Sequence, residues 1–191
     1  DKTPTAAEEI WDGLDSTAGG RVGAAGSSGV FNYVNSFEGV TLNAAARKGS
    51  GTKNSDGSSS GVGQGAWDFA LTTDGSMLGV DGLAIGVGYG EKSIGSAAGS
   101  NYGDEQHSTA FANYSAGPVT FGYQSSYINS NKLGTDDRQS DAWGLAVNVN
   151  ENLSVSYGER DVVYTDNAGD VTEKFDGIAV AYTMGSMKIA G

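Results

Sequence analysis

The sequence holds a single histidine, the side chain that most readily suggests acid–base chemistry. His107 lies in the stretch "DEQHST", close to Asp104 and Glu105. Carboxylates beside an imidazole are compatible with a hydrolytic site, although a histidine in a polar loop is more often only solvated. The chain has no cysteine, which excludes thiol catalysis, disulfides and cysteine-ligated zinc. Since no phosphate-binding loop, GxSxG sequence or metal-ligand spacing is present either, we expect no enzyme.

A second set of charged residues is better suited to steering ions than to catalysis. Carboxylates crowd a short N-terminal segment, and three arginines fall among small polar residues of alternating segments. They are Glu8, Glu9, Asp12 and Asp15, and Arg47, Arg138 and Arg160. Opposite charges across a narrow aqueous passage create a transverse field and set ion preference. An arginine that faces lipid is costly, whereas one that faces a water-filled lumen is not. The arginines are therefore candidates for a pore wall; alternatively, each lies above the membrane without effect on permeation.

Alternating segments must position these side chains. In "SAGPVTFGYQSSY" (115–127), Phe121 and Tyr123 share one parity with other apolar residues, and Gln124 and Ser126 share the other with Gly and Thr. A β-strand sends alternate side chains to opposite faces, so one face is aromatic and apolar and the other is small and polar. The same period recurs in "GVFNYVNS", "VTLNAAAR", "AWDFALTT", "GLAIGVGYG", "STAFANY", "AWGLAVNV", "LSVSYGER" and "GIAVAYTM". With the final "SMKIAG", the pattern predicts roughly ten strands.

Composition and connections favour a membrane barrel over a soluble sandwich. Charged residues are 18% of the chain, below the roughly 25% of soluble domains, and Gly is 31 of 191. Short turns such as "SAGP" and "VNEN" alternate with long polar loops such as "EKSIGSAAGSNYGDEQ", "NSNKLGTDDRQ" and "VVYTDNAGDVTE". Outer-membrane barrels have this asymmetry and carry aromatic bands at both interfaces. Tyrosines fall near the short turns at Tyr33, Tyr114 and Tyr182, and toward the long loops at Tyr89, Tyr127 and Tyr157.

The N-terminal segment differs from the rest, because residues 1–28 do not alternate. "TPTAAEEIWDGLDSTAGG" predicts a short helix, in which Thr5 and Glu8 form a capping box or Thr3 caps with Pro4 at the first helical position. A helix cannot be one of the meander strands, so we expect residues 1–28 to be a loop and residues 29–191 to supply the strands.

The combination resembles the general porins of the Gram-negative outer membrane, in the branch found in alphaproteobacteria. The resemblance rests on the hairpin strands around "SAGPVTF" and "TMGSMKIAG", on Gly-rich strands such as "AIGVGYGE", and on the acidic helical segment before "GVFNYVNSFEGVTL". It implies an antiparallel up-and-down transmembrane β-barrel of roughly 16 strands, of which about ten are expected here. Residues 3–20 are similar to the third loop that narrows such pores. The chain is then an internal stretch of a longer protein, or only part of that protein was identified.

The resemblance implies a water-filled channel for passive diffusion of ions and small hydrophilic solutes. It also implies a homotrimer in the outer membrane, in contact with lipid and lipopolysaccharide, with no cofactor. Carboxylates suit Ca²⁺, so the acidic segment is a candidate site for that ion. The net charge of −12 disfavours nucleic acid and favours a modest cation preference. The alternatives are a surface-exposed β-rich adhesin and an omptin-like barrel protease built around His107.

Overall fold

A computed structural model describes residues 30–49, 65–93, 104–131, 137–166 and 169–191. These ranges form one sheet of ten antiparallel strands, in which every strand pairs with its neighbours in sequence. The strands are β1 (Phe31–Phe37), β2 (Val40–Arg47), β3 (Ala66–Asp74), β4 (Leu83–Lys92), β5 (Glu105–Ala116), β6 (Val119–Asn129), β7 (Asp137–Asn148), β8 (Leu153–Asp166), β9 (Gly169–Met184) and β10 (Met187–Ala190). The predicted all-β, up-and-down architecture of about ten strands is confirmed. The sheet is open within the described ranges, with β1 and β10 at its edges.

The register of the strands keeps the two parities on two different faces. Phe121 pairs with Tyr114 on β5 and with Leu145 on β7, whereas Gln124 pairs with Phe111 and Ala142. We call the face of Phe121 the outward face and the face of Gln124 the inward face. Exposure separates them, since Phe121 is 49% exposed and the inward Ser126 is 3% exposed. A sheet that curves toward its inward face gives this asymmetry, because small side chains crowd on the concave side.

Short turns join the strands at one end of the sheet. The turns at Gly39, Gly117 and Gly185 each contain a glycine with positive φ, a conformation that costs glycine little. Between β3 and β4, a single 3-10 turn at Gly75–Leu78 begins at Asp74, whose carboxylate accepts a hydrogen bond from the amide of Ser76 at 3.1 Å. No helix within the described ranges has the length and apolar character that crossing a bilayer requires.

The long loops are shorter than the sequence predicts. The stretch "VVYTDNAGDVTE" was expected to be a loop, but β8 continues to Asp166 and β9 starts at Gly169. Similarly, β4 reaches Lys92 and β5 starts at Glu105, inside another predicted loop. The reason is that Val, Thr and Tyr favour extended backbone, so a ladder continues through interspersed charged residues once its register is set. Charged residues of these stretches therefore lie on strands, where the sequence predicts long polar loops.

A close approach at Gly82 leads to a stability prediction. Gly82 has φ +80°, and an added Cβ would overlap the carbonyl oxygen of Ser115. Positive φ costs an L-residue roughly 1–2 kcal/mol, and overpacking costs roughly 1–3 kcal/mol more. We expect Gly82→Ala to lower the free energy of unfolding by about 2–5 kcal/mol, the sum of both costs, as measured by urea titration of the refolded protein in detergent.

Gly117→Ala is the matched control for this prediction. Gly117 also has positive φ, at +58°, but an added Cβ there meets no atom within 4 Å. It therefore carries the backbone cost alone. Equal losses of stability in the two variants would show that the contact with Ser115 relaxes freely, contrary to the prediction.

Candidate pore wall and membrane belt

Charged side chains gather on the inward face, toward the ends of the strands that lead into the long loops. One row runs across five strands, from Asp68 through Gly90, His107 and Ile128 to Arg138. In the next row toward the loops, Lys92 on β4 lies between Glu105 on β5 and Ala66 on β3. Ala66 in turn pairs with Arg47 on β2. Arg160 lies deeper, opposite Ala142 and Phe175. The inward face thus carries interleaved charges of both signs, and the three predicted arginines all belong to it.

Two of the arginines are held against the wall by neighbouring strands. Arg160 is 7% exposed, and its Nε donates to Oγ of Ser140 at 3.0 Å. The guanidinium of Arg138 lies 5.8 Å from the ring centroid of Tyr164, within the range of a cation–π contact. These contacts fix the positions of the two positive charges on the inward face. The constriction stays a prediction, because the acidic residues expected to face these arginines lie outside the residues that the structure describes.

The outward face carries aromatic side chains whose polar atoms are directed to carboxylates. This outward belt uses phenol and indole donors near the loop ends of β4, β6, β7 and β8. Tyr89 donates to Glu91 at 2.7 Å, Tyr123 to Asp141 at 2.7 Å, Tyr127 to Asp137 at 3.1 Å, Tyr157 to Glu159 at 2.6 Å, and Trp143 Nε1 to Glu159 at 3.2 Å. Amphipathic rings with one apolar and one polar end suit the boundary between hydrocarbon and water.

Aromatic residues also stand on the outward face near the short turns. Tyr33, Tyr114 and Tyr182 are 47%, 48% and 42% exposed. Between the two levels, the exposed side chains are apolar, such as Val87 at 52% and Val180 at 42%. A band of exposed apolar side chains bordered by aromatic residues at both ends is the surface that a bilayer requires of a barrel.

His107 lies in β5 and not in a loop, which corrects the sequence prediction. It is 7% exposed on the inward face, and its Nε2 is 2.8 Å from Oε1 of Glu105. The same oxygen accepts a hydrogen bond from Nζ of Lys92 at 3.3 Å. Asp104 has a different partner, since its Oδ1 accepts from Oγ of Ser93 at 3.2 Å. The histidine is therefore part of a wall network with Glu105 and Lys92.

Two ionisable groups beyond the level of the belt have shifted pKa values. The hydrogen bond with His107, and then the nearby Lys92, hold the pKa of Glu105 below its ordinary value. At the outer end of β9, the hydrogen bond from Lys174 Nζ to Asp161 Oδ2 at 2.6 Å raises the pKa of Lys174. A carboxyl with a lowered pKa and an amine with a raised pKa are both charged around neutral pH, so Glu105 and Lys174 contribute fixed charge to the mouth.

Sequence reasoning missed the carboxylates that accept from the outward belt. Glu91 and Asp137 fall in predicted loops and Glu159 falls in the predicted strand "LSVSYGER", whereas the structure places all three on strands, immediately beyond the aromatic side chains. A local signal exists, because Tyr89 and Tyr157 each precede a glutamate by two residues and so share a face with it. The negative charge thereby concentrates on the outward rim, while the inward face keeps a mixture of both signs.

The predicted acidic half of the site is not among the described residues. Glu8, Glu9, Asp12 and Asp15, and the whole segment 1–28, lie outside them. In the part of the chain that the structure does describe, no three His, Asp or Glu side chains are grouped so as to hold a metal ion. The calcium prediction concerns the acidic segment and stays a prediction.

Comparison with known proteins agrees with the two-faced sheet. A family model described as Gram-negative porin matches residues 1–189, nearly the whole chain. No curated protein matches the chain. The alphaproteobacterial branch suggested by the sequence stays a prediction. With its up-and-down antiparallel strands, polar inward face and aromatic-bordered outward face, the chain belongs to the Gram-negative porin family of the outer membrane.

Proposed function

We propose that this porin forms a water-filled channel through which ions and small hydrophilic solutes diffuse passively, with a modest preference for cations. The observation that carries the proposal is the division of one sheet into two unlike faces. The outward face exposes apolar side chains such as Phe121 and Val180, and the inward face carries mostly Gly, Ala, Ser, Thr, Asn and charged side chains, with a few apolar ones such as the fully buried Val162. Such a wall separates lipid from water, and downhill diffusion along it needs no cofactor or energy source.

Lipid imposes a further condition on the open edges of the sheet. In hydrocarbon every backbone N–H and C=O must be paired, so a spanning sheet has to close. Within the described ranges, β1 and β10 each have one neighbour. We propose that closure produces a barrel of roughly 16 strands, which is wide enough to enclose water. The intact mass of the source polypeptide separates this barrel from a small one in which β1 pairs with β10.

The cation preference is proposed to arise at the mouth. The chain carries a net charge of −12, and the carboxylates that the structure describes concentrate on the outward rim. Along the inward face, Lys92, Arg138 and Arg160 are interleaved with acidic residues such as Asp68 and Glu105, so the wall favours neither sign strongly. Long-range attraction by the rim then concentrates cations, and salt screens it. The preference is therefore modest and salt-dependent.

The oligomeric state and the alternative functions are considered next. We propose a homotrimer in contact with lipid and lipopolysaccharide, in keeping with the resemblance to general porins, and no enzymatic activity. An adhesin would share the strands without a continuous aqueous path. Stepwise ion currents from the full-length protein in a planar bilayer test the channel, and their absence would favour the adhesin.

The acidic segment gives a sharper prediction about pore size. If residues 3–20 fold into the lumen, deleting them from the full-length protein removes the narrowest part of the path. We expect the single-channel conductance in 1 M KCl to rise, because current scales with the open cross-section. Deletion of residues 50–64, a stretch of similar length, serves as the control, since its Gly- and Ser-rich sequence predicts a polar loop between β2 and β3. An unchanged conductance after deleting residues 3–20 would place the segment outside the pore.

A further inference from the structure

Phe111 interrupts the polar character of the inward face. Its neighbours on the same face of β5 are Thr109 and Asn113, and its partners across the ladders are Gly86 on β4 and Gln124 on β6. Apolar surface that stays in contact with water costs free energy, so an aromatic side chain on the wall of a pore needs a compensating contact or a function.

The ring of Phe111 lies over Gly86. A Cβ added to Gly86 would overlap Cε1 of Phe111 and would lie 3.0 Å from Cζ of the same ring. It would also lie 2.9 Å from Cγ2 of Thr72 on the far side. The ring therefore extends across β4 along the wall instead of projecting into the lumen. Gly86 is buried beneath it, while Phe111 stays partly exposed. This arrangement leaves an apolar surface on the pore wall.

Uncharged polar groups border this surface. Oγ1 of Thr109 lies 2.9 Å from Oγ of Ser126, and Nε2 of Gln124 donates to that Ser126 oxygen at 3.1 Å. The network fixes the side chain of Gln124, which is the partner of Phe111 across the β5–β6 ladder. In the row of Phe111, the first charged side chain toward β8 is Arg160, which comes after Gln124 and Ala142. The immediate surroundings of the ring are thus amides and hydroxyls.

We propose that Phe111, Gln124 and Thr109 form a subsite for neutral sugars on the pore wall. A sugar ring has one relatively apolar face and a rim of hydroxyl groups, each of which both donates and accepts hydrogen bonds. The apolar face would lie on Phe111 and the rim would meet Gln124 and Thr109, the combination of apolar contact and few polar groups typical of small-molecule sites. The inference rests on the proposed channel and names one class of its solutes.

Current block by raffinose, a neutral trisaccharide, tests the subsite in the full-length protein. We expect the ion current to fall saturably with raffinose, with half-saturation of the order of 1–100 mM, which is weak binding of about 1–4 kcal/mol. Polyethylene glycol of the same hydrodynamic radius lacks a sugar face and should only reduce the current linearly. Phe111→Leu keeps an apolar cover on Gly86 but removes the aromatic surface, and we expect its half-saturation to rise at least about fivefold, roughly 1 kcal/mol. Phe111→Trp should retain the block.

Phe121→Leu provides the matched control, because it makes the same change on the outward face of the adjacent strand. It should leave the raffinose effect unchanged. A conducting wild-type channel in which raffinose and polyethylene glycol act alike would overturn the subsite while leaving the channel intact. Equal block in wild type and Phe111→Leu would also overturn it. A wild-type protein without any conductance would instead overturn the proposed channel, and the subsite with it.

Discussion

Single cysteines placed on the two faces of the sheet will react with a membrane-impermeant thiol reagent in two separate classes. None of these 191 residues is cysteine, so each variant adds a single thiol to this stretch. Cysteine at the exposed inward residues Asn43 and Asn148 should label nearly completely in proteoliposomes. Cysteine at the outward residues Leu145 and Val180 should remain almost unlabelled, because lipid covers that face.

Two comparisons make the labelling test specific. All four variants should label equally after denaturation, which shows that each thiol is intrinsically reactive. Leu145 and Asn148 lie on the same strand with opposite orientations, so the contrast between them depends on face and not on position along the chain. Similar labelling of both faces in the folded protein would be incompatible with a barrel in a membrane.

The second large effect concerns the charge of the wall. Arg138→Gln and Gln139→Glu each lower the charge by one at adjacent positions, but Arg138 is inward and Gln139 is outward. One charge about 10 Å from the path changes the energies of a cation and an anion by roughly 0.4 kcal/mol each in water, with opposite signs, which is about a factor of two for each ion and about four in their ratio. At low salt we expect Arg138→Gln to raise the cation-to-anion permeability ratio by up to about fourfold and Gln139→Glu to change it much less.

Reversal potentials under a tenfold KCl gradient measure this ratio. Adding Arg160→Gln to Arg138→Gln should raise it again, by up to about sixteenfold over the parent at low salt, if the two charges act independently. The differences should diminish near 1 M salt, where the Debye length is about 3 Å. Clear anion preference of the parent channel would show that basic residues outside the described ranges dominate the constriction. A larger effect of Gln139→Glu than of Arg138→Gln would contradict the assignment of faces.

The strands and their faces were predictable because alternation is a local property. The alternation in one short stretch predicts that Phe121 and Gln124 face opposite sides of the sheet, and the structure confirms this. Strand ends were less predictable: the charged residues of "VVYTDNAGDVTE" resemble a loop, whereas the β-branched residues among them extend the ladder. His107 was placed in a loop for the same reason.

Contacts between strands could not be predicted, because they depend on register. Phe111 covers Gly86 only because β4 and β5 pair in one particular register across a long connection, and neither local sequence specifies it. The network of His107, Glu105 and Lys92 likewise joins two strands. Sequence reasoning could find which residues face the pore, but it could not find which of them meet.

The nearest-neighbour order of the strands also bears on how the protein acquires its structure. Every ladder in the described sheet joins strands adjacent in sequence, so each pairing closes one hairpin, and its entropic cost grows only slowly with loop length. Hairpins form in about 1–10 μs, and each completed hairpin presents an edge on which the next can align. Assembly can therefore proceed by successive addition along the chain, since each step closes only the loop between two strands adjacent in sequence. A break in a central loop, such as the one between β5 and β6, would leave two pieces, each retaining complete hairpins and a free edge through which they can reassociate.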